Sequence, residues 1–260
     1  MIVIPAQAGM TELRLGRIIA SRLSLRDPMP MHPAPEAPPA SRRLPWPILA
    51  VAGFALFLLA LIWFGHELVE GDGAAMDRAI MLAMRDGAHP IGPAWLPSAV
   101  RDVTALGSTT VLSFLVLVAA IFLWLAGRLR TALLLVGATT LGSLTVEMIK
   151  ALVSRSRPDL VGRLMEETSK SFPSGHAALS AIVYLTLATL LFPVLPDRRI
   201  RAFVLVVALV LTFSVGVSRV YLGVHWPSDV AAGWALGGVW AMLWWRIELA
   251  LLARAGPGGA

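Results

Sequence analysis

Long apolar runs alternate with short polar breaks along most of this chain. Six mostly apolar stretches recur, at about 46–64, 109–127, 131–149, 175–195, 201–217 and 228–246. The first reads "WPILAVAGFALFLLALIWF" and is apolar on every face of a helix. A helix that crosses the hydrocarbon of a bilayer needs roughly 20 such residues, so each stretch is predicted to be a membrane span. Burial inside a soluble domain would account for some of them, but a domain of this size has no core that hides six. The expected fold is therefore all-α, an integral-membrane bundle of six transmembrane helices over 45–250. Between the first two spans, "AAMDRAIMLAMRDGA" sets Met76, Ile80 and Met84 at helical spacing, with Asp77, Arg78, Arg85 and Asp86 elsewhere on the wheel. That pattern predicts a short amphipathic helix in the membrane interface, a structural cap more than a gate for lipid. No repeat of fixed period stands out.

The ends of the chain differ in kind. Residues 1–44 include "PMPMHPAPEAPPASRRLP", too rich in proline for a packed element, and are expected to form a disordered tail. The opening "MIVIPAQAGM" is too short and wrongly flanked for a signal peptide, and Met10, Met29 and Met31 are alternative starts within the tail. Residues 251–260 form a second, short tail.

Composition sharpens the membrane reading. The chain of 260 residues is 57% hydrophobic and 15% charged, with a mean hydropathy of +0.74, whereas an ordinary soluble domain carries about 25% charged residues. A net charge of +6 would suit a nucleic-acid partner if it formed a patch, but the arginines gather at helix ends instead. Arg14, Arg17, Arg22, Arg26, Arg42 and Arg43 precede the first span. Arg128 and Arg130 lie between the second and third, Arg198, Arg199 and Arg201 between the fourth and fifth, and Arg246 and Arg254 after the sixth. These positions share one side of the membrane, and the positive-inside rule puts them, with both termini, in the cytoplasm. The absence of cysteine excludes a disulfide framework and a cysteine nucleophile.

Three polar clusters interrupt the apolar chain. In "KALVSRSRP", Lys150 and Arg157 are two helical turns apart and predicted to share a face, with Pro158 ending the span. In "PSGH", residues 173–176, Ser174 is a natural N-cap, Gly175 admits a ligand to the backbone, and the free N–H groups that follow suit an anion. In "SRVYLGVHWPSD", Arg219, His225 and Asp229 straddle the joint between the fifth and sixth spans. Singly these have ordinary explanations: arginines that snorkel, an interfacial histidine, a helix-start carboxylate. Parity of the spans, however, brings all three clusters to one membrane face, opposite the arginine-rich loops. Three cations, two histidines and a carboxylate together fit a tetrahedral dianion and its transfer, and ionisable groups at a membrane are costly unless they serve function.

Lys150-x6-Arg157-Pro158, Pro173-Ser174-Gly175-His176 and Ser218-Arg219-x5-His225-x3-Asp229 resemble, in identity, order and spacing, the three-part signature of the type 2 phosphatidic acid phosphatase superfamily. The resemblance covers about 45–250, and "SFPSGHA" is similar to bacterial members. It implies that His225 attacks phosphorus and becomes phosphohistidine while Asp229 holds its other ring nitrogen. It implies further that Lys150, Arg157 and Arg219 hold the phosphoryl oxygens with Ser174 and the Gly175 N–H. His176 would protonate the leaving group and then activate water. No cofactor and no metal is implied. The carboxylates Asp159, Glu166 and Glu167 lack ligand spacing with histidine and are expected in a solvated loop, and Glu147 is expected to partner Lys150.

The expected function is thus a membrane lipid phosphatase acting on a lipid phosphate or diphosphate in the bilayer, of the phosphatidate, phosphatidylglycerophosphate or undecaprenyl diphosphate class. Headgroup selection is expected in "DLVGRLMEETSKS" and in 65–108. A phosphotransferase passing the group to an alcohol is the alternative. Haloperoxidase relatives share the signature but are soluble, and a transporter or scaffold would leave the intact reactive set unexplained. The expected location is a bacterial inner membrane, with the site facing the periplasm; oligomeric state is not encoded in these patterns.

Overall fold

The computed structural model describes residues 46–70 and 74–255. The proline-rich segment 1–44 therefore lies outside the described residues. Eight α-helices follow one another: α1 Trp46–Glu70, α2 Ala74–Ala83, α3 Leu96–Ala105, α4 Thr109–Leu125, α5 Leu129–Val153, α6 Gly175–Leu190, α7 Arg198–Tyr221 and α8 Pro227–Ala255. The only strands among the described residues are a minimal antiparallel pair, β1 Arg85–Asp86 and β2 His89–Pro90. The helices start where sequence chemistry lets them. Ser108 accepts from the Val111 N–H at 3.3 Å before α4, Asp197 accepts from the Arg199 N–H at 2.8 Å before α7, and Pro227 opens α8.

Five helices are long and apolar enough to cross a membrane, or six spans if α3 and α4 count as one bent pair. The second span thus departs from the single straight helix expected over 109–127. Alone, α4 has 17 residues, about 26 Å at 1.5 Å per residue, short of the roughly 30 Å hydrocarbon core. The preceding α3 meets it at 44°. Gly107 makes the joint possible: a Cβ there would stand 2.3 Å from Val215 Cγ1 and 3.3 Å from the His176 carbonyl. The break brings the chain against the start of α6 and the lower half of α7.

Helix α6 is the axis of the bundle, buried through 61% of its span against 11% for α1. It packs on α5, α7 and α8, with Ala178, Ile182, Leu236 and Trp240 in one cluster and Ala181, Val183, Ala208 and Ala241 in another. Apolar burial gives little drive between helices in lipid, so small residues set the contact. Gly233 and Gly237 on α8 do this: Cβ atoms there would come 2.9 Å from Ala178 N and 2.2 Å from Ala181 Cβ. Large side chains such as Phe114, Phe122, Phe203 and Leu209 point away from the bundle and are exposed, as a lipid solvent permits.

The amphipathic segment is shorter than expected, ending at Ala83 before the strand pair. Met76 and Ile80 are exposed, as a lipid-facing stripe requires. Asp77, however, is completely buried, and so is Met81, which packs with Ala177, Val220 and Val230. Helix α2 is therefore wedged against α6, α7 and α8 through an inward face.

Candidate active site

The cationic end of α5 does not continue as a helix to Arg157. Helix α5 stops at Val153 because Ser154 takes a left-handed conformation, φ 52°, with its Oγ donating to the Ala151 carbonyl at 3.1 Å. Lys150 sits in the last turn, and Arg157 reaches back from the loop 154–174. The shared helix face expected for this pair is thus replaced by convergence on one residue. Lys150 Nζ donates to Ser169 Oγ at 3.2 Å, and Arg157 donates to the same oxygen at 3.0 Å and to the Ser169 carbonyl at 2.7 Å. Glu147 stands 3.9 Å from Lys150 Nζ and is mostly exposed, the loose partner its spacing predicts.

His225 lies in the turn between α7 and α8, which Gly223 closes at φ 75°. Its Nδ1 faces Asp229 Oδ2 at 3.5 Å and Ser171 Oγ at 3.4 Å, while its Nε2 is 3.1 Å from Arg157 Nη1. Asp229 is fully buried in the first turn of α8, where Oδ2 also accepts from Ser171 Oγ at 2.5 Å and the Trp226 N–H at 3.0 Å. Burial pushes the His225 imidazole down to about 4, against the opposing pull of Asp229. At neutral pH the ring is therefore uncharged. A proton on Nδ1, directed at Asp229, leaves the Nε2 lone pair facing the cations.

His176 occupies the first turn of α6, within electrostatic reach of Arg219, His225 and Lys150. Ser174 is the N-cap residue, yet its side chain makes no capping bond; Ser174 Oγ is buried without a partner among the described residues. Its own N–H donates to the Asp229 carbonyl at 3.0 Å, fastening the start of α6 to α8. A Cβ on Gly175 would stand 3.1 Å from Lys150 Nζ, so glycine is what lets this helix start meet the ammonium. Arg219 is fully buried, with Nη1 3.3 Å from Thr104 Oγ1, and its Nε has no partner among the described residues. Ser174 Oγ and Arg219 Nε are thus two buried donors left unpaired among the described residues.

Glu167 corrects the expectation of a solvated loop carboxylate. Its side chain is 20% exposed, bonds Arg219 Nη2 and lies 3.6 Å from Arg157 Nη2. Burial alone would raise its carboxyl, but Arg219 and Arg157 more than offset this and hold it below the usual carboxylate range. The reason is electrostatic: Arg219 from α7 and Arg157 from the loop converge, and the Glu167 carboxylate pairs with both. The eight residues singled out from sequence, Lys150, Arg157, Ser174, Gly175, His176, Arg219, His225 and Asp229, all gather at one end of α5 to α8. Sequence reasoning missed Ser169, Ser171 and Glu167, and passed over Asp77 and Arg155. Of these only Arg155 carried a signal, as a second arginine inside "SRSRP".

Comparison with known proteins gives the family. The model of the PAP2 superfamily matches residues 131–252. Phosphatidylglycerophosphatase B of Bacillus subtilis is 31% identical over 188 residues, covering 72% of this chain and 88% of that protein. The crystal structure of a transmembrane PAP2 type phosphatidylglycerolphosphate phosphatase from Bacillus subtilis superposes with a TM-score of 0.67 at 30% identity, over 78% of this chain and 96% of that one. That of Aquifex aeolicus LpxE gives 0.51 at 27% identity, over 66% of this chain and 96% of that one. The chain belongs to the PAP2 superfamily and is a multi-pass membrane protein.

Proposed function

We propose that this protein is a membrane lipid phosphatase working through a phosphohistidine. The observation that carries the reading is the split environment of His225, with Nδ1 toward a buried carboxylate and Nε2 toward a cluster of cations. Nε2 attacks phosphorus in line with the lipid oxygen, the P–O bond breaks, and His176 delivers a proton to the leaving group. Asp229 stabilises the imidazolium that forms. Water, deprotonated by His176, then attacks phosphorus, the N–P bond breaks, and inorganic phosphate leaves with His225 restored. Phosphoryl transfer asks mainly for positioning and charge stabilisation. Arg219, Lys150, Arg157, the start of α6 and Ser174 supply both, and Arg157 also braces Nε2 and the loop.

The substrate class is a lipid phosphate or diphosphate presented at the membrane surface, with phosphatidylglycerophosphate first in line because relatives of that activity cover most of the chain. The site lies where α5 and α7 end, and Arg128, Arg130, Arg198, Arg199 and Arg201 lie where they begin. By the positive-inside rule this supports cytoplasmic termini and a site facing the periplasm of a bacterial inner membrane. The test is phosphate release from phosphatidylglycerophosphate and phosphatidate by purified protein in excess EDTA, with vanadate as inhibitor. Activity in EDTA and vanadate inhibition support the reading. Activity that vanishes on stripping and returns with Mg²⁺ would remove the role given to the cations.

A further inference from the structure

Beneath the reacting histidine lie two charged residues outside the signature, Arg155 at 5% exposure and Asp77 at 0%. The reaction above uses neither. We propose that Arg155 and Asp77 are positioning residues that lock Asp229 in the orientation facing His225 and tie helix α2 to the nucleophile. The inference rests on the phosphatase reading of the site.

Asp229 divides its two oxygens. Oδ2 takes Ser171 and the Trp226 N–H and faces His225, whereas Oδ1 takes the Arg155 Nη1 at 2.7 Å. Arg155 therefore holds the side of the carboxylate that the imidazole does not. It is itself fixed from three directions. Its Nη2 donates to Asp77 Oδ2 at 2.9 Å, its Nη1 also reaches Ser228 Oγ at 2.8 Å, and its guanidinium lies over the Trp226 ring at 5.4 Å. Asp77 closes the circuit by accepting from the Ser228 N–H at 2.8 Å and from Ser228 Oγ at 2.5 Å, at the start of α8. Buried charges persist only when paired in good geometry, and here a single guanidinium serves two carboxylates drawn from α2 and α8.

Simple helix-to-helix adhesion would not explain where α2 rests. One turn after Asp77, Met81 packs on Ala177, Val220 and Val230. These are the residues that follow His176, Arg219 and Asp229. Arg155 also bonds none of the groups assigned to the phosphate, so its effect on the reaction passes through Asp229. The charged groups facing the His225–Asp229 pair are Arg155 and Arg157 from the loop, Arg219 from α7 and His176 from α6, with Asp77 of α2 paired to Arg155 behind them. Removing the Arg155 cation makes that pair easier to protonate, so the acid limb of the rate profile moves to higher pH.

The experiment is steady-state turnover of phosphatidate in detergent micelles by the full-length protein, across pH, for Arg155→Gln, Arg155→Lys, Asp77→Asn and the packing control Met81→Ala. Arg155→Gln is expected to lower kcat roughly 10–100-fold, the loss usual when a partner orienting a functional histidine is removed. KM stays near the wild-type value and the acid limb moves up. Arg155→Lys recovers part of the rate, and Asp77→Asn added to Arg155→Gln costs little more because the two act as one unit. Met81→Ala lowers thermal stability without moving the acid limb. If Arg155→Gln does not fold, reduced kcat at constant KM in Arg155→Lys and Asp77→Asn carries the proposal, and wild-type kcat in both overturns it. A raised KM at wild-type kcat, or a loss of kcat with the acid limb unmoved, also overturns it. Wild-type protein that releases no phosphate would sink the phosphatase reading and this inference with it, whereas wild-type turnover with unchanged variants sinks this inference alone.

Discussion

Glu167 pairs with two cations of the proposed phosphate site, so replacing it with glutamine should tighten anion binding. The carboxylate is bonded to Arg219 and lies 3.6 Å from Arg157, and both cations belong to the proposed phosphate site. A substrate must displace it, and the lost contact is a hydrogen bond between charged groups worth about 1.5–3 kcal/mol. Side-chain exposure of 20% argues for the lower half of that range, since water screens part of the interaction. At 1.4 kcal/mol per factor of ten, the competition weakens anion affinity by roughly 10- to 40-fold. Glutamine keeps the shape and removes the charge. The assay is inhibition of turnover by inorganic phosphate and by vanadate, comparing wild type with Glu167→Gln at fixed pH and ionic strength. Both inhibition constants should fall by about the factor above, with KM moving in the same direction. Unchanged or weakened inhibition would refute the reasoning and make Glu167 a supporting part of the site.

Further outcomes follow from the same geometry. His176→Ala should lose most activity on lipid phosphates but less on nitrophenyl phosphate, whose leaving group needs no proton; equal losses on both would remove the general-acid role. Because His225 is pushed down to about 4, it stays neutral, and able to attack, down to that pH and fails only below it. The acid limb of kcat/KM should lie near 4 and not near the ordinary 6.5, once the second ionisation of the substrate, about pH 6, is corrected for. The contribution of His225 to stability has the same sign: between about 4 and 6.5 the unfolded chain binds the proton and the folded one does not, so stability falls as pH falls through that window. Gly237→Ala would place a Cβ 2.2 Å from Ala181 Cβ, while Gly238→Ala meets nothing within 4 Å. Thermal unfolding in detergent should show the first destabilised by about 1–3 kcal/mol from overpacking and the second neutral or stabilised by up to about 1 kcal/mol.

The spans were legible because a bilayer imposes one crude rule, about 20 apolar residues per crossing. The break at Gly107 escaped that rule, since hydropathy does not register a close approach to Val215 and His176. The convergence of the candidate residues was legible because the signature holds Lys150, Arg157, His176, Arg219, His225 and Asp229 close to three helix ends. What joins those ends was not. Arg155 meets Asp229 across 74 positions and Asp77 meets Ser228 across 151, and no local period marks either pair. On the α2 wheel Asp77 looked like any solvent-facing carboxylate, because the pattern of Met76, Ile80 and Met84 describes the lipid side and says nothing of the side packed on protein. Glu167 misled for a similar reason: a loop carboxylate is solvated by default unless cations that lie far off in sequence converge on it.

The central claim, that His225 carries the phosphoryl group, is tested most directly by trapping it. Protein mixed with a lipid phosphate labelled on phosphorus and quenched in alkali within a turnover should retain label as an acid-labile, alkali-stable phosphohistidine. Label is predicted on His225 in the wild type and none in His225→Ala; in His176→Ala label should accumulate from labelled nitrophenyl phosphate, whose leaving group needs no proton, because water activation fails. Turnover by a folded His225→Ala protein, or label on any other residue, would contradict it.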